Sequence, residues 1–150
     1  MRTNTPTVLV ALSAFAILLA GCASTPKQPT ELTKEQILQQ EDVKKKQPTV
    51  FNKNIEEVRQ AGSRALTFVG CEIKKQEPFF LQGHRPNKFG LFVGSGGETV
   101  RIFLYPQTPD ETQVWVDTDM SFVGIAGQQN WDDKVMAEIK SILETPIKTQ

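Results

Sequence analysis

Residues 96–105 read Gly-Gly-Glu-Thr-Val-Arg-Ile-Phe-Leu-Tyr, and this stretch decides the predicted fold. In an extended chain Val100 and Ile102 fall on one face, whereas Arg101 falls on the other. Alternation with a period of two is typical of a β-strand that has one face in a core. We therefore predict a strand over residues 99–105, with its aliphatic side chains facing the core.

Gly96 and Gly97 predict a two-residue hairpin turn before this strand, because both central residues of such a turn need positive φ. The turn would pair the strand with residues 88–94, and residues 79–87 would form a loop at the edge of the core. Three apolar cross-strand pairs support this register. They are Val93 with Val100, Leu91 with Ile102, and Phe89 with Leu104.

Two further strands complete the predicted sheet, over residues 71–77 and 113–120. Both alternate apolar and polar side chains, and turn-forming prolines lie beside them. The inward positions are Cys71 and Ile73 in the first, and Val114 and Val116 in the second.

Residues 52–69 predict the first long helix, because apolar side chains recur there at three- and four-residue steps. Asn52 or Asn54 can cap its start, and Gly70 is a suitable residue just beyond its end. Gly62 lies inside the helix, where a missing side chain allows close packing on a sheet.

A second helix is predicted over residues 131–144, with Asn130 as N-cap and Asp133 completing a shortened capping box. The element order is thus one helix, four strands and another helix. We predict an α+β fold, a two-layer sandwich of helix, four-stranded antiparallel meander and helix, with both helices on one face.

The N-terminus carries an export signal over residues 1–21: Arg2, then an apolar core at 8–20, then small residues. This core is shorter than the roughly 20 residues that a membrane span needs. Two interpretations remain, an ordinary secretory cleavage site and a lipoprotein signal.

Leu19-Ala20-Gly21-Cys22 resembles the lipobox of bacterial lipoproteins at all four positions. The resemblance implies cleavage before Cys22, acylation of its thiol and amino group, and membrane attachment through the acyl chains. Position 23 is Ala rather than Asp. In Gram-negative lipoproteins this implies the outer membrane, facing the periplasm.

Residues 22–49 are poor in large apolar side chains and rich in Lys, Gln, Thr and Pro. We predict a flexible tether here, with a short helix over residues 32–43 as the alternative within it. The periplasmic α+β domain is then predicted over residues 50–150.

Charge excludes one class of partner. Without residues 1–21 the chain keeps 16 basic and 17 acidic side chains. Nucleic-acid binding needs a basic footprint, so we predict no nucleic-acid partner.

Catalytic, metal and cofactor sites are not predicted. His84 is the single histidine, and Cys71, its conceivable partner in a dyad, falls on the core face of a strand. Asp117 and Asp119 alternate on one strand face, but no calcium-binding loop follows them. We predict a protein that is not an enzyme, with Cys71 as a small buried residue.

The face of the sheet away from the helices is predicted to be open. Arg101, Phe103 and Trp115 lie there, with Phe103 opposite Trp115, Arg101 opposite Asp117, and Gly90 leaving room for Phe103. The functional interpretation is a partner-binding surface, and the alternative is that the aromatic side chains only stiffen a solvated sheet. The predicted surface consists of Phe92, Arg101, Phe103, Tyr105 and Trp115.

The order of elements behind a lipobox resembles that of small lipoproteins of Gram-negative bacteria. Residues 50–143 are also similar to the helix-grip domains of the C-component lipoprotein of the outer-membrane β-barrel assembly machinery. The resemblance implies an interaction or assembly accessory module whose partner is an envelope protein or a second copy. The alternative is a carrier of a lipid or other apolar ligand between helices and sheet.

Overall fold

The computed structural model describes residues 31–89, 94–120 and 128–145. The predicted signal segment, Cys22, Phe92 and Gly90 lie outside these ranges. The helices are α1 Lys34–Ile37, α2 Glu41–Lys44, α3 Ile55–Phe68 and α4 Asp132–Glu144. The strands are β1 Thr49–Phe51, β2 Glu72–Gln76, β3 Phe80–His84, β4 Lys88–Phe89, β5 Gly94–Ser95, β6 Thr99–Thr108 and β7 Glu111–Asp119.

A five-stranded antiparallel sheet in the order β1-β7-β6-β3-β2 forms the centre of the molecule. The two long helices, α3 and α4, pack on one face of it, which confirms the α+β class and the placement of both helices. The strand count differs from the prediction because β1 adds a strand beside β7.

The second strand of the predicted meander is wrong. Residues 80–84, predicted as loop, form β3, and Leu81 and Gly83 lie opposite Ile102 and Val100 of β6. Lys88 and Phe89, the first residues of the predicted strand, pair with β5 in a separate ribbon, and β3 takes the place beside β6. The predicted partners Leu91 and Val93 lie outside the described residues. The chosen register puts Gly83 against Cys71, where an added Cβ would lie 2.7 Å from the Cys71 Cβ.

Gly96 and Gly97 have positive φ, 99° and 88°, as predicted, but they serve a different turn. The Gly97 amide donates to the Arg85 carbonyl, and the Arg85 amide donates to the Glu98 carbonyl. A side chain at Gly96 would collide with the Pro86 carbonyl. The glycines therefore bring the chain back beside β3 after the ribbon.

Helix α3 confirms the predicted helix, but it begins three residues later than predicted and ends one residue earlier. The Asn54 side chain accepts from the Glu57 amide at 2.9 Å, and Gly70 follows the helix end at positive φ. A Cβ on Gly62 would lie 2.9 Å from a Leu81 methyl carbon, so this glycine lets the helix approach the sheet closely. Val58, Ala61 and Ala65 are buried in the same interface.

Helix α4 begins one residue later than predicted, and Asn130 is not its N-cap. Trp131 holds that position without a capping side-chain bond. Asn130 instead accepts from the Asp132 amide at 2.7 Å, and the Thr118 hydroxyl accepts from the Trp131 amide at 3.0 Å. The helix start is therefore held from β7, which sequence spacing does not reveal.

The prediction of a flexible tether is wrong for residues 31–49, and its alternative, a short helix over residues 32–43, is confirmed in part by α1 and α2. Residues 31–48, called the strap below, cross the face of the sheet opposite α3 and α4, and residue 49 begins β1. Ile37 and Val43 are the buried side chains of α1 and α2. The strap is thus part of the folded domain rather than a spacer before it.

Candidate functional site beneath the strap

An aromatic row lies under the strap. Phe80, Phe103 and Trp115 occupy facing positions on β3, β6 and β7, which confirms the predicted pair of Phe103 with Trp115. Phe80 lies beside Phe103 on the other side, and their ring centroids are 5.2 Å apart. These three side chains are called the aromatic row below.

The strap covers this row with two apolar side chains. Ile37 is fully buried and Val43 is 5% exposed, and both pack in one cluster with the aromatic row. Burying an aliphatic side chain of this size stabilises by about 1.5–3 kcal/mol. The row is correspondingly hidden, with Phe103 2% and Trp115 5% exposed.

Hydrogen bonds tie the strap to the sheet at both ends. The Leu32 amide donates to a Glu77 carboxylate oxygen at 2.9 Å. The Trp115 indole Nε1 donates to the Lys46 carbonyl oxygen at 3.1 Å. Trp115 therefore binds the strap with its polar atom as well as with its ring.

Lys46 closes the end of the strap through three contacts. Its ammonium lies 2.6 Å from a carboxylate oxygen of Asp117, 2.6 Å from one of Asp132, and 3.1 Å from the Val116 carbonyl oxygen. Burial opposes the charge of the ammonium, but hydrogen bonds and charge attraction from the two aspartates outweigh it and raise the pKa of Lys46. The cation is therefore held in its charged form.

Arg101 connects the sheet to the middle of the strap. It donates to Asp117 at 2.7 Å, as the predicted cross-strand pair requires, and lies 3.3 Å from a carboxylate oxygen of Asp42 in α2. Burial acts to raise the pKa of Asp117, yet hydrogen bonds from Lys46 and Arg101 lower it overall. The sequence predicts the pair of Arg101 with Asp117 but not the pair of Arg101 with Asp42.

The predicted open face is therefore not open. The aromatic row and Arg101 contact the strap, and Tyr105 is partly buried beside it with the Lys34 ammonium 4.7 Å from its ring centroid. The prediction failed because Ile37 and Val43 are six residues apart and give no apolar stripe along the strap.

Two clefts lie in the helix layer among the described residues. One of about 480 Å³ lies between α3 and the end of α4, lined by charged and apolar side chains that include Glu57, Arg64 and Ile142. It is not between helices and sheet, where the predicted carrier would hold its ligand. At that interface Gly62 lies directly against Leu81 and Ile102.

The conceivable Cys71–His84 dyad is not assembled in the described structure. Cys71 is buried in the core, as predicted, and burial raises the pKa of its thiol to about 11. The His84 ring contacts the Thr99 hydroxyl at 3.4 Å. Within residues 31–89, 94–120 and 128–145, no group of three side chains is arranged to hold a metal ion.

A second polar cluster was missed by the sequence analysis. Glu98 is fully buried, and its carboxylate lies within 3.4 Å of donors on Arg85, Gln129 and Trp131. Burial opposes its charge, but hydrogen bonds from its own backbone amide and from these neighbours, together with the Arg85 charge, lower the pKa of Glu98 overall. The Arg85 guanidinium also stacks 4.0 Å from the Trp131 ring. The Glu98 carboxylate finds its hydrogen-bond donors within this cluster. The cluster therefore fixes the start of α4 to the sheet.

No protein-family model matches the chain, and no curated protein matches its sequence significantly. Among the described residues no helix has the length and apolar character needed to cross a membrane. The functional argument therefore depends on the residues themselves.

Proposed function

We propose that the protein is a lipid-anchored module of the cell envelope, acylated at Cys22 and attached to the outer membrane on its periplasmic side. Its role is non-catalytic, an interaction or assembly accessory function. The match of residues 19–22 to a lipobox supports the anchor. Two or three acyl chains give stable attachment, whereas one chain is marginal.

The docked strap is the observation that carries this proposal, because it determines how the anchor holds the domain. The first strap residue seen to bind the folded domain is Leu32, ten positions after Cys22. Ten extended residues span at most about 35 Å. A domain so attached stays beside the membrane surface, which suits a module that acts on other membrane-bound components.

The polar side chains between the strap and the sheet hold the two together, which favours a binding role over a catalytic one. Arg101, Lys46 and Asp117 are paired with one another or with the strap, and the pairs hold a segment in place. Trp115 uses its single polar atom in the same way. This is the chemistry of an interface between a folded domain and a peptide.

Fatty-acid labelling tests the anchor, and the two cysteines supply a matched pair of variants. Cys71→Ala removes the buried thiol and should label like the wild type, whereas Cys22→Ser should lose the label. The unlabelled variant should also leave the outer-membrane fraction. Full labelling of Cys22→Ser would overturn the proposal.

Crosslinking in cells, followed by mass spectrometry, tests the interaction role. The expected result is a reproducible crosslinked species that the Cys22→Ser variant loses because it is no longer at the membrane. Persistence of the same species in that variant would show that the partner is reached without the anchor.

A further inference from the structure

The strap is attached to the sheet in the way that a bound peptide is attached to a receptor. Among the described residues its links to the sheet run through side chains, and the backbone ladder starts only at Thr49, opposite Val114. Ile37 and Val43 fill the space over the aromatic row, and charged pairs lie around them.

The strap also depends on the sheet for its own structure. Each of its helices has four residues. Helices this short do not persist alone in water, so the face of a sheet must supply their stability. Every copy of the protein presents an identical face, so a strap fits its own domain and a neighbour's equally well.

The point of attachment allows a strap to leave its own domain. Gln47 and Pro48 separate the Lys46 contacts from β1, which is an outer strand of the sheet. Val50 on that strand is 48% exposed. A second copy that approached along this edge would lie beside Gln47 and Pro48, the hinge of the strap. Trp115, one end of the aromatic row, is on β7, only one strand in from that edge.

We propose that the aromatic row is a docking surface for the strap of a second copy, and that two copies exchange straps. The contacts of Ile37, Val43 and Lys46 are the same in the closed monomer and in the exchanged dimer. The ratio of closed monomer to exchanged dimer therefore depends on the local concentration of copies and on the conformational freedom of the hinge at Gln47 and Pro48. The inference depends on the proposed interaction role, for which it names the partner.

An isotope experiment on the wild-type chain tests the exchange directly. Copies labelled with ¹⁴N and ¹⁵N are mixed in equal amounts and treated with a carbodiimide, which joins the Lys46 ammonium to a carboxylate 2.6 Å away on Asp117 or Asp132. Peptide pairs of mixed isotope form only when the strap of one copy lies on the sheet of another. Their share should approach half at complete exchange.

The Lys53–Glu57 pair is the internal control. Its ammonium and carboxylate are 3.3 Å apart within one short stretch of chain, so its crosslinks must stay of one isotope in the exchanged dimer. Mixed isotopes at Lys46, with one isotope at Lys53, support the proposal. One isotope at both sites, or mixed isotopes at both, overturns it.

Two preparations separate this inference from the anchor. One is the acylated chain in vesicles of phosphatidylethanolamine and phosphatidylglycerol, and the other is the mature chain with Cys22→Ser in concentrated solution. Mixed Lys46 crosslinks in either preparation support strap exchange, and their absence from both overturns it. Fatty-acid labelling decides the anchor independently.

A labelled peptide of residues 31–48 gives a second measurement. It should bind the full chain carrying Ile37→Ser and Val43→Ser at least tenfold more tightly than the wild type, whose own strap competes. A peptide with Leu38→Ser, an exposed neighbour, should bind as well as the wild-type peptide, and one with both core substitutions should not bind. If the variant chain does not fold, the isotope experiment alone decides.

Discussion

The sheet presents one face to two helices of more than three turns and the other to a strap whose helices have a single turn each. The helix-covered face is mostly aliphatic, with Leu81, Ile102 and Leu104 fully buried, and its charged cluster around Glu98 is confined to the start of α4. The strap-covered face combines aromatic rings with charged pairs. Aliphatic packing over long helices makes a permanent core, whereas a short segment held by rings and charges can be replaced by another of the same pattern.

Leu104→Ala should have the largest effect, because it makes a cavity in the helix-covered face. The side chain is fully buried, so we expect a loss of about 3 kcal/mol in the free energy of unfolding. Urea denaturation measures it. A smaller loss of stability than that of the strap variants would mean that the strap-covered face contributes more to folding than the helix-covered face.

Ile37→Ala should lower the free energy of unfolding by less, about 2 kcal/mol, because the sheet and long helices remain folded when the strap loosens. Hydrogen exchange should rise in residues 31–48 while α3 stays protected. Leu38→Ala, at an exposed neighbouring position, is the matched control and should leave exchange unchanged. Equal acceleration throughout the domain would mean that the strap belongs to the cooperative core.

The strap should also dock within a window of pH. Asp117 has a lowered folded pKa, so its stabilising effect is present above the unfolded pKa of about 3.9 and is lost as pH falls through the folded value. Lys46 has a raised folded pKa, so its effect is complete below about 10.4 and is lost as pH rises through the folded value. Trp115 fluorescence should report strap release at both limits, and an unchanged signal at both would contradict the ionic contribution.

On the helix-covered side of the sheet, stability should depend on pH through the Cys71 thiol. The pKa of Cys71 is raised to about 11 by burial, so the folded state keeps the proton more tightly than the unfolded chain. Stability should therefore fall as pH rises above about 8.5 and level off near the folded pKa. Cys71→Ala should remove this slope without changing strap exchange rates near neutral pH, which thermal melting and hydrogen exchange can check.

Lys46→Ala should have the smallest effect, since Asp117 keeps its bond to Arg101. We expect a loss of about 1 kcal/mol in the free energy of strap docking. Lys45→Ala is the control, because that side chain is 72% exposed and makes one long surface contact. Local exchange in the strap is the measurement. Equal effects of the two substitutions would remove Lys46 from the set of strap contacts.

The parts of the fold that the sequence predicted correctly are those governed by local period. The stripe of α3 and the pairs of Phe103 with Trp115 and Arg101 with Asp117 follow from counting along helices and strands. Strand β3 was missed because adjacent Phe80 and Leu81 are both buried, one beneath the strap and one beneath the helices. A strand covered on both faces loses the alternation that identifies it.

The docking of the strap on the sheet was missed for a related reason, although a short helix within residues 32–43 was predicted as an alternative. Helices of four residues have no periodic pattern, and their stability comes from a surface formed by residues far along the chain. Lys46 looks like the third member of a solvated lysine run, and only its position beside Asp117 and Asp132 distinguishes it.

The location of the strap between the proposed anchor and β1 has a mechanical consequence. Tension on the N-terminus passes through Leu32, Ile37 and Val43 before it reaches the sheet, and it peels these contacts one after another. Complete peeling releases the 18 residues of the strap, which add about 60 Å of contour length. The same pull that lengthens the connection to the proposed anchor uncovers the aromatic row, so extension of the protein and exposure of its proposed docking surface occur together.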